Sequence, residues 1–222
     1  MRALLGEAIG TALLLYIVVG SGIAAESLSS DQAIRLFAHS VAVGLGLGAI
    51  IATFQTVSGA HFNPSVTLAF WRTGDIAGDG ALRYVGSQLV GAVVGVAAAN
   101  LSFQQAVFSV SDTARDGSGK ALAEGIATFV LVFLILALVQ TGRSSAVPAA
   151  VGAWVAAIVF ATASTGFANP AVTISRILTD TYTGIGPSSV PAFLIAQIVG
   201  GWTAAVAARY FFPIPVRQPA TK

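Results

Sequence analysis

Six apolar stretches, at about residues 4–25, 33–56, 82–102, 120–140, 147–166 and 190–212, are each long enough to cross a bilayer, which takes about 20 mostly apolar residues of helix. Burying all six in a water-soluble fold would need a polar coat that this chain lacks. Only 9% of its residues are charged and 55% are hydrophobic, whereas a soluble domain carries about a quarter charged. The connectors hold the turn formers and most of the charge, as in "ESLSSDQ", "TGDIAGDG", "SDTARDGSGK" and "TGRSS". An all-α, multi-spanning membrane protein follows. Met1-Arg2 ahead of the first apolar run has the form of a secretory signal, but Glu7 inside the run and five further apolar segments favour a retained helix. A net charge of +2 gives no basis for nucleic-acid binding, and the absence of cysteine excludes disulfides and thiolate metal sites.

Two further apolar pieces, about 63–72 and 169–178, are too short to span, and each begins with Asn-Pro. Proline suits the first turn of a helix, where its missing N–H is not needed. The halves of the chain also match. "LLGEAIGTALLLYIVVG" pairs with "ALAEGIATFVLVFLILA", aligning Glu7 with Glu124, and "RYVGSQLVGAVVGVAAA" pairs with "AFLIAQIVGGWTAAVAA", aligning Gln88 with Gln197. Three spans per half is odd, so the second copy enters the membrane inverted, and substrate paths form at the midplane interface of such repeats. The expectation is a single channel domain over 1–222, with repeats at 1–110 and 118–222. With both termini cytoplasmic, Arg2, Arg72, Arg83, Arg143, Arg209, Arg217 and Lys222 fall inside, and Arg35, Arg115, Lys120 and Arg176 outside. That split follows the positive-inside trend.

Non-helical backbone at membrane depth is tolerated only where it is buried in protein or lines a wet cavity. Two half-helices entering from opposite sides would meet N-terminus to N-terminus and place positive potential at the midplane. The amides of Asn63 and Asn169 would then donate hydrogen bonds to a passing hydroxyl oxygen. A positive midpoint repels cations, and donors there reorient water so that a proton wire is interrupted. Small neutral polar molecules can pass such a point.

The motifs "SGAHFNPSVT" and "TGFANPAVT", with their paired glutamates, resemble the aquaporin and aquaglyceroporin (major intrinsic protein) family over nearly the whole chain. The resemblance implies the aquaporin fold, an all-α integral membrane protein with six tilted helices and two re-entrant half-helices in an inverted repeat. It also implies one pore per subunit and a homotetramer. Asn63, Pro64 and Ser65 take the first motif, with serine where the family has alanine, and Asn169, Pro170 and Ala171 take the second. In the family the two glutamates hold the re-entrant loops through backbone amides, so Glu7 and Glu124 are read as buttresses. His61 is expected to order its loop or line the cytoplasmic vestibule, and His39 to be a satisfied interfacial histidine. Gly44, Gly46, Gly48, Gly91 and Gly95 suit close helix packing.

The family guards its narrowest point with an arginine after the second motif. Here that position is Val172, and Thr173, Ile174 and Ser175 do not restore it. By counting, the other filter positions fall on Val43, on Phe167, and on Ile158 or Ala157, because "TGFANPA" is one residue shorter than the family pattern. The filter so formed carries no charge. Arg176 lies one turn beyond Val172, about 6 Å further out, where it can line the outer vestibule, pin the loop, pair with Asp180, or serve as a displaced filter arginine, with the vestibule or loop-pinning role favoured.

A wide apolar filter favours glycerol-like polyols and neutral metalloid acids over water alone. Val172 within "NPAVTISR" resembles bacterial aquaglyceroporins associated with arsenic resistance, which implies arsenite as As(OH)3 and methylated arsenicals as solutes beside glycerol and water. A bacterial inner membrane, with lipid as the surrounding partner, is the implied location. No cofactor, metal or catalytic residue is expected. A secondary transporter would need an intramembrane ion-coupling acid beyond the structural glutamates, and an intramembrane enzyme would need a nucleophile–base pair or metal cluster. Neither is visible in the sequence.

Overall fold

Apolar length dictates the frame, and the glycines decide how closely its pieces approach. The computed structural model describes residues 1–213; Arg217 and Lys222, two of the cations assigned to the cytoplasmic side, lie outside the described residues. The spans are α1 (Arg2–Leu28) and α2 (Gln32–Ser58), then α4 (Gly78–Ser102) and α5 (Ser118–Gln140), then α6 (Val147–Ala161) and α8 (Val190–Phe211). All six are long and apolar enough to cross a membrane once the short 3-10 turns leading into α6 and α8 are included. Between them sit the half-helices α3 (Pro64–Thr73) and α7 (Pro170–Ser175), each with proline in its first turn. The chain is therefore an all-α integral membrane protein with six spans and two re-entrant half-helices.

Two boundaries differ from the sequence reading. The fifth span stops at Ala161 rather than near 166, because Thr165 and Gly166 take left-handed backbone at φ 61° and 54° and turn the chain back into the protein. Helix α7 ends at Ser175 and is followed by a single 3-10 turn, Arg176–Leu178.

Helices cross where side chains are absent. A Cβ on Gly91 of α4 would lie 2.1 Å from the Ala8 carbonyl oxygen of α1, and one on Gly44 of α2 would lie 2.6 Å from the Gly152 oxygen of α6. Backbones that approach so closely gain dispersion contacts, the main source of helix association in lipid. The repeats correspond in detail. Glu7, Thr11, Leu14 and Val18 of α1 match Glu124, Thr128, Leu131 and Ile135 of α5. Thr11 Oγ1 donates to the Glu7 carbonyl at 2.7 Å and Thr128 Oγ1 to the Glu124 carbonyl at 2.8 Å.

The repeats differ in one core contact. Gly10 on α1 makes room for the buried Phe62 ring of the first loop, and a Cβ there would meet Phe62 Cε1 at 2.0 Å. The matching positions in the second repeat are Ala127 and Ala168, a pair that shares the space differently. Overpacking of this kind costs about 1–3 kcal/mol. Gly10→Ala is therefore expected to lower the yield and thermal midpoint of monodisperse protein, and Phe62→Ala added to it should recover most of the loss. A double variant no better than Gly10→Ala would show that the ring is not what excludes a methyl group there.

Candidate functional site

Each re-entrant loop must expose backbone to the lumen without leaving its other polar groups stranded. A buried carboxylate solves this in each half. Glu7, fully buried, accepts from the backbone N–H of His61 at 3.0 Å and of Phe62 at 2.7 Å, from Ser58 Oγ at 2.6 Å and from Gln88 Nε2 at 2.7 Å. Glu124, equally buried, accepts from the N–H of Phe167 at 2.9 Å and of Ala168 at 2.8 Å, and from Gln197 Nε2 at 2.6 Å. Gln88 and Gln197 also donate to Thr67 Oγ1 and Thr173 Oγ1 at 2.9 and 2.8 Å. Each threonine in turn donates to the carbonyl of its own motif asparagine, at 3.2 and 2.9 Å.

Ser58 to Asn63 correspond residue for residue to Ser164 to Asn169. Gly59, Ala60 and Phe62 are left-handed in the first loop, and Thr165, Gly166 and Ala168 in the second. Left-handed backbone at a residue other than glycine costs of order 1–3 kcal/mol, so four such residues persist only because the surrounding bonds over-determine them.

The asparagines lock the two loops together. Asn63 Oδ1 caps α3 by accepting from Ser65 N at 2.9 Å, and Asn169 Oδ1 caps α7 by accepting from Ala171 N at 2.9 Å and Val172 N at 3.3 Å. That fixes which end of each amide faces away from its helix. Asn63 Nδ2 donates to the Ala168 carbonyl and Asn169 Nδ2 to the Phe62 carbonyl, both at 2.8 Å. Each Nδ2 has a second hydrogen, and both asparagines line the central cavity, the lumen.

The lumen has two characters. One side is loop backbone from Gly59 to Asn63 and from Thr165 to Asn169. The other is hydrocarbon at every fourth position: Val43, Leu47 and Ile51 on α2, Val147, Val151, Val155 and Val159 on α6, and the matched Leu14, Val18, Leu131 and Ile135 on α1 and α5. Ser65 is not on it; its hydroxyl donates to the Gln197 carbonyl at 3.2 Å.

Of the expected filter residues, Val43, Phe167 and Val172 line the lumen. The fifth-helix expectation needs correction. Ile158 is buried against Gly166 beneath the loop, Ala157 faces outward, and the wall is carried by Val155 and Val159. Counting back from the motif misplaced this contact because α6 ends early at the Thr165–Gly166 turn. His61, matched to Phe167, lines the other end of the lumen, with Nδ1 3.1 Å from Thr67 Oγ1 and its ring stacked on Phe70 at 4.6 Å.

Arg176 does not pair with Asp180, which is exposed and accepts from Asp112 N at 3.4 Å. It is 3% exposed, its Nε donates to the Thr183 carbonyl, and its Cζ lies 3.4 Å from the Phe167 ring centroid. Two outer-mouth residues carry no pore role in the sequence reading, which takes His39 as a satisfied interfacial histidine and Arg115 as a cation of the outer side. His39 is buried on the lumen wall, with Nδ1 2.8 Å from Ser21 Oγ; the signal was its place one turn before Val43. Arg115, in the α4–α5 connector, donates to the carbonyls of Gly184 at 2.7 Å and Tyr182 at 3.2 Å, and its Cζ lies 5.2 Å from the same Phe167 ring. Burial draws its pKa below the ordinary arginine value, opposed by the attraction of Tyr182 and Glu124. No local motif marks Arg115, since its place depends on how the connector folds back.

The family model described as major intrinsic protein (MIP) matches residues 1–168. The chain belongs to the major intrinsic protein family. It is 41% identical over 219 residues to aquaglyceroporin AqpS of Rhizobium meliloti, covering 99% of this chain and 91% of that protein. It is 33% identical over 153 residues to the glycerol uptake facilitator protein of Bacillus subtilis, covering 62% of this chain and 55% of that protein. Among solved structures, an aquaglyceroporin from Plasmodium falciparum superposes with a TM-score of 0.76 at 20% identity, covering 97% and 96% of the two chains, a likeness of fold. Major intrinsic proteins are passive channels and not enzymes, so this chain is a multi-pass membrane channel.

The carboxylate network has a direct test. Glu7→Gln or Glu124→Gln keeps the shape but puts an amide donor among donors, whereas alanine strands the backbone groups at about 1–3 kcal/mol each. Alanine variants are expected to lose folded, monodisperse protein in size-exclusion chromatography to a greater extent than glutamine variants. Normal folding with loss of conduction alone would count against a buttress role for these glutamates.

Proposed function

We propose that this channel conducts small neutral polyhydroxylated solutes, namely the metalloid acids As(OH)3 and methylated arsenicals, together with glycerol and water. The observation that carries the reading is the apolar wall at Val43, Val159 and Val172, with valine at the sequence position where the family carries an arginine. A solute there keeps hydrogen bonds along one edge, to loop backbone and the two asparagine amides, and lays its other edge on hydrocarbon. Glycerol and methylated arsenicals have that two-sided character. An ion gains nothing from the valine wall and would have to shed its hydration there. As(OH)3 is neutral at pH 7, carries three hydroxyls and is close to glycerol in size, and a chain without cysteine offers trivalent arsenic no thiol to capture it. The relatives called an aquaglyceroporin and a glycerol uptake facilitator support a bore of polyol size.

The protein acts as a homotetramer in a bacterial cell membrane with both termini cytoplasmic. The grouping of cations supports the orientation. Arg209 Nη2 donates to the Thr73 carbonyl at 2.7 Å, so the end of α8 and the end of α3 share one face, while Arg115 and Arg176 share the opposite mouth.

In proteoliposomes, glycerol and arsenite flux should be linear in the gradient and indifferent to membrane potential. Uphill accumulation driven by a proton or sodium gradient would replace the channel reading with coupled transport. A second measurement addresses the wall itself. Val172→Arg adds a long cation with five donors to an intramembrane site already close to Arg176. It narrows the bore and removes the surface on which methyl and carbon groups ride. The glycerol-to-water and methylarsenical-to-water flux ratios should each fall by roughly tenfold, equivalent to about 1.4 kcal/mol, with arsenite affected less. Ratios that hold or rise in folded protein would show that Val172 does not line the constriction.

A further inference from the structure

The wall at Val172 is apolar, yet the 3-10 turn that follows this half-helix carries a buried guanidinium whose terminal donors have no acceptor among the described residues. Arg176 bonds only through Nε, to the Thr183 carbonyl. Among the described residues its two amino groups make no hydrogen bond, and neither Arg176 nor Arg115 forms an ion pair. Arg176 belongs both to the lumen and to the recess outside it, which it shares with His39, Arg115 and Tyr182.

The arginines differ in what they have left to give. Arg115 spends Nε on the Gly184 carbonyl at 2.7 Å, one amino group on the Tyr182 carbonyl at 3.2 Å, and the other on Thr165 Oγ1 at 3.4 Å. It fixes the outer loop. Arg176 is held at one nitrogen and along its face, where the Phe167 ring sits at stacking distance, 3.4 Å. Phe167 is itself fixed by its N–H to Glu124 and by an edge-to-face contact with Phe193 at 5.2 Å. The guanidinium is thus positioned at the lumen wall, with its two amino groups uncommitted among the described residues.

We propose that Arg176 is the solute-reading residue of the outer mouth: its uncommitted amino groups, held on Phe167, take over hydrogen bonds that a hydroxylated solute loses on entering the apolar stretch at Val172. The inference rests on the reading of this lumen as a path for neutral polyols. It separates two tasks along one re-entrant segment, with hydrocarbon contact at Val172 on the half-helix and hydroxyl recognition at Arg176 in the 3-10 turn after it. A planar, fixed fork suits adjacent hydroxyls on one molecule, so a polyol gains more from it than water does.

The test is the glycerol-to-water flux ratio in proteoliposomes, which does not depend on how many channels fold. Arg176→Met keeps length and packing and removes the donors. Its ratio should fall by about tenfold, the effect of one charge-assisted hydrogen bond. Arg176→Lys keeps the charge beside the Phe167 ring but loses the open fork, and its ratio should fall by about threefold. The lysine variant decides the matter if the methionine variant does not fold. A ratio within twofold of the parent in folded Arg176→Met, or in Arg176→Lys when it alone folds, overturns the proposal and leaves Arg176 a loop pin. Parent protein that conducts water but no glycerol would sink the polyol reading instead, before any variant is compared.

Discussion

Everything in the pore hangs on two carboxylates that lie inside the protein and bind backbone rather than cations. A charge at this depth is tolerated only when its field is met by donors. Glu7 has four and Glu124 three within hydrogen-bond reach. The geometry follows from that need. For two successive N–H groups to converge on one carboxylate, the loop adopts a series of left-handed residues, and its backbone then turns toward the lumen and the opposite loop. Without the carboxylate the strained residues would relax, the donors would be stranded in a dry core, and the half-helices would lose their starting points. Pore chemistry and fold stability are therefore the same set of bonds.

The asparagines extend that economy. Each side chain caps its own half-helix with its oxygen and reaches across to the opposite loop with its nitrogen. Neither amide can rotate without breaking a cap and a cross-link together. The amide hydrogens at the centre are consequently fixed, and fixed donors orient a passing oxygen without reorganising. Around them, the valine and leucine stripes give no hydrogen bond at all. Hydrogen-bonding groups of the lumen are therefore concentrated on the side the loops occupy.

Periodicity and repetition made the frame legible in the sequence. Six apolar runs, two Asn-Pro motifs and the Glu7/Glu124 and Gln88/Gln197 pairs were readable because each obeys a local rule or recurs in the second half. Positions defined by a turn or by a distant connector were not. Ile158 was placed by counting through a segment that the structure breaks at Thr165 and Gly166, so the wall shifted to Val155 and Val159. Arg115 lies on a connector whose path is set by contacts with the Gly184 region, far along the chain. His39 was legible in principle, since one helical turn separates it from Val43, but a lone histidine in an apolar helix carries no motif. The Phe62–Gly10 contact could not be read from either half, because it pairs one residue's bulk with another's absence.

The inverted repeat also explains where selectivity can reside. Positions identical in the two halves, the glutamates, glutamines, threonines and asparagines, build a frame that is nearly symmetric about the midplane. A symmetric frame can repel cations and orient an oxygen at its centre, but it presents the same groups toward both mouths. The differences between matched residues supply the rest. His61 and Phe167 are equivalent loop positions, yet one presents an imidazole bonded to Thr67 at its mouth and the other a ring on which a guanidinium lies. Ser65 and Ala171 differ too, but the Ser65 hydroxyl is spent on a helix carbonyl and leaves the lumen unchanged. Sequence divergence between repeats matters to permeation only where the side chain reaches the path. The Phe167–Arg176 stack is one such divergence on the lumen wall, and the first repeat has Phe70 against His61 in the corresponding place.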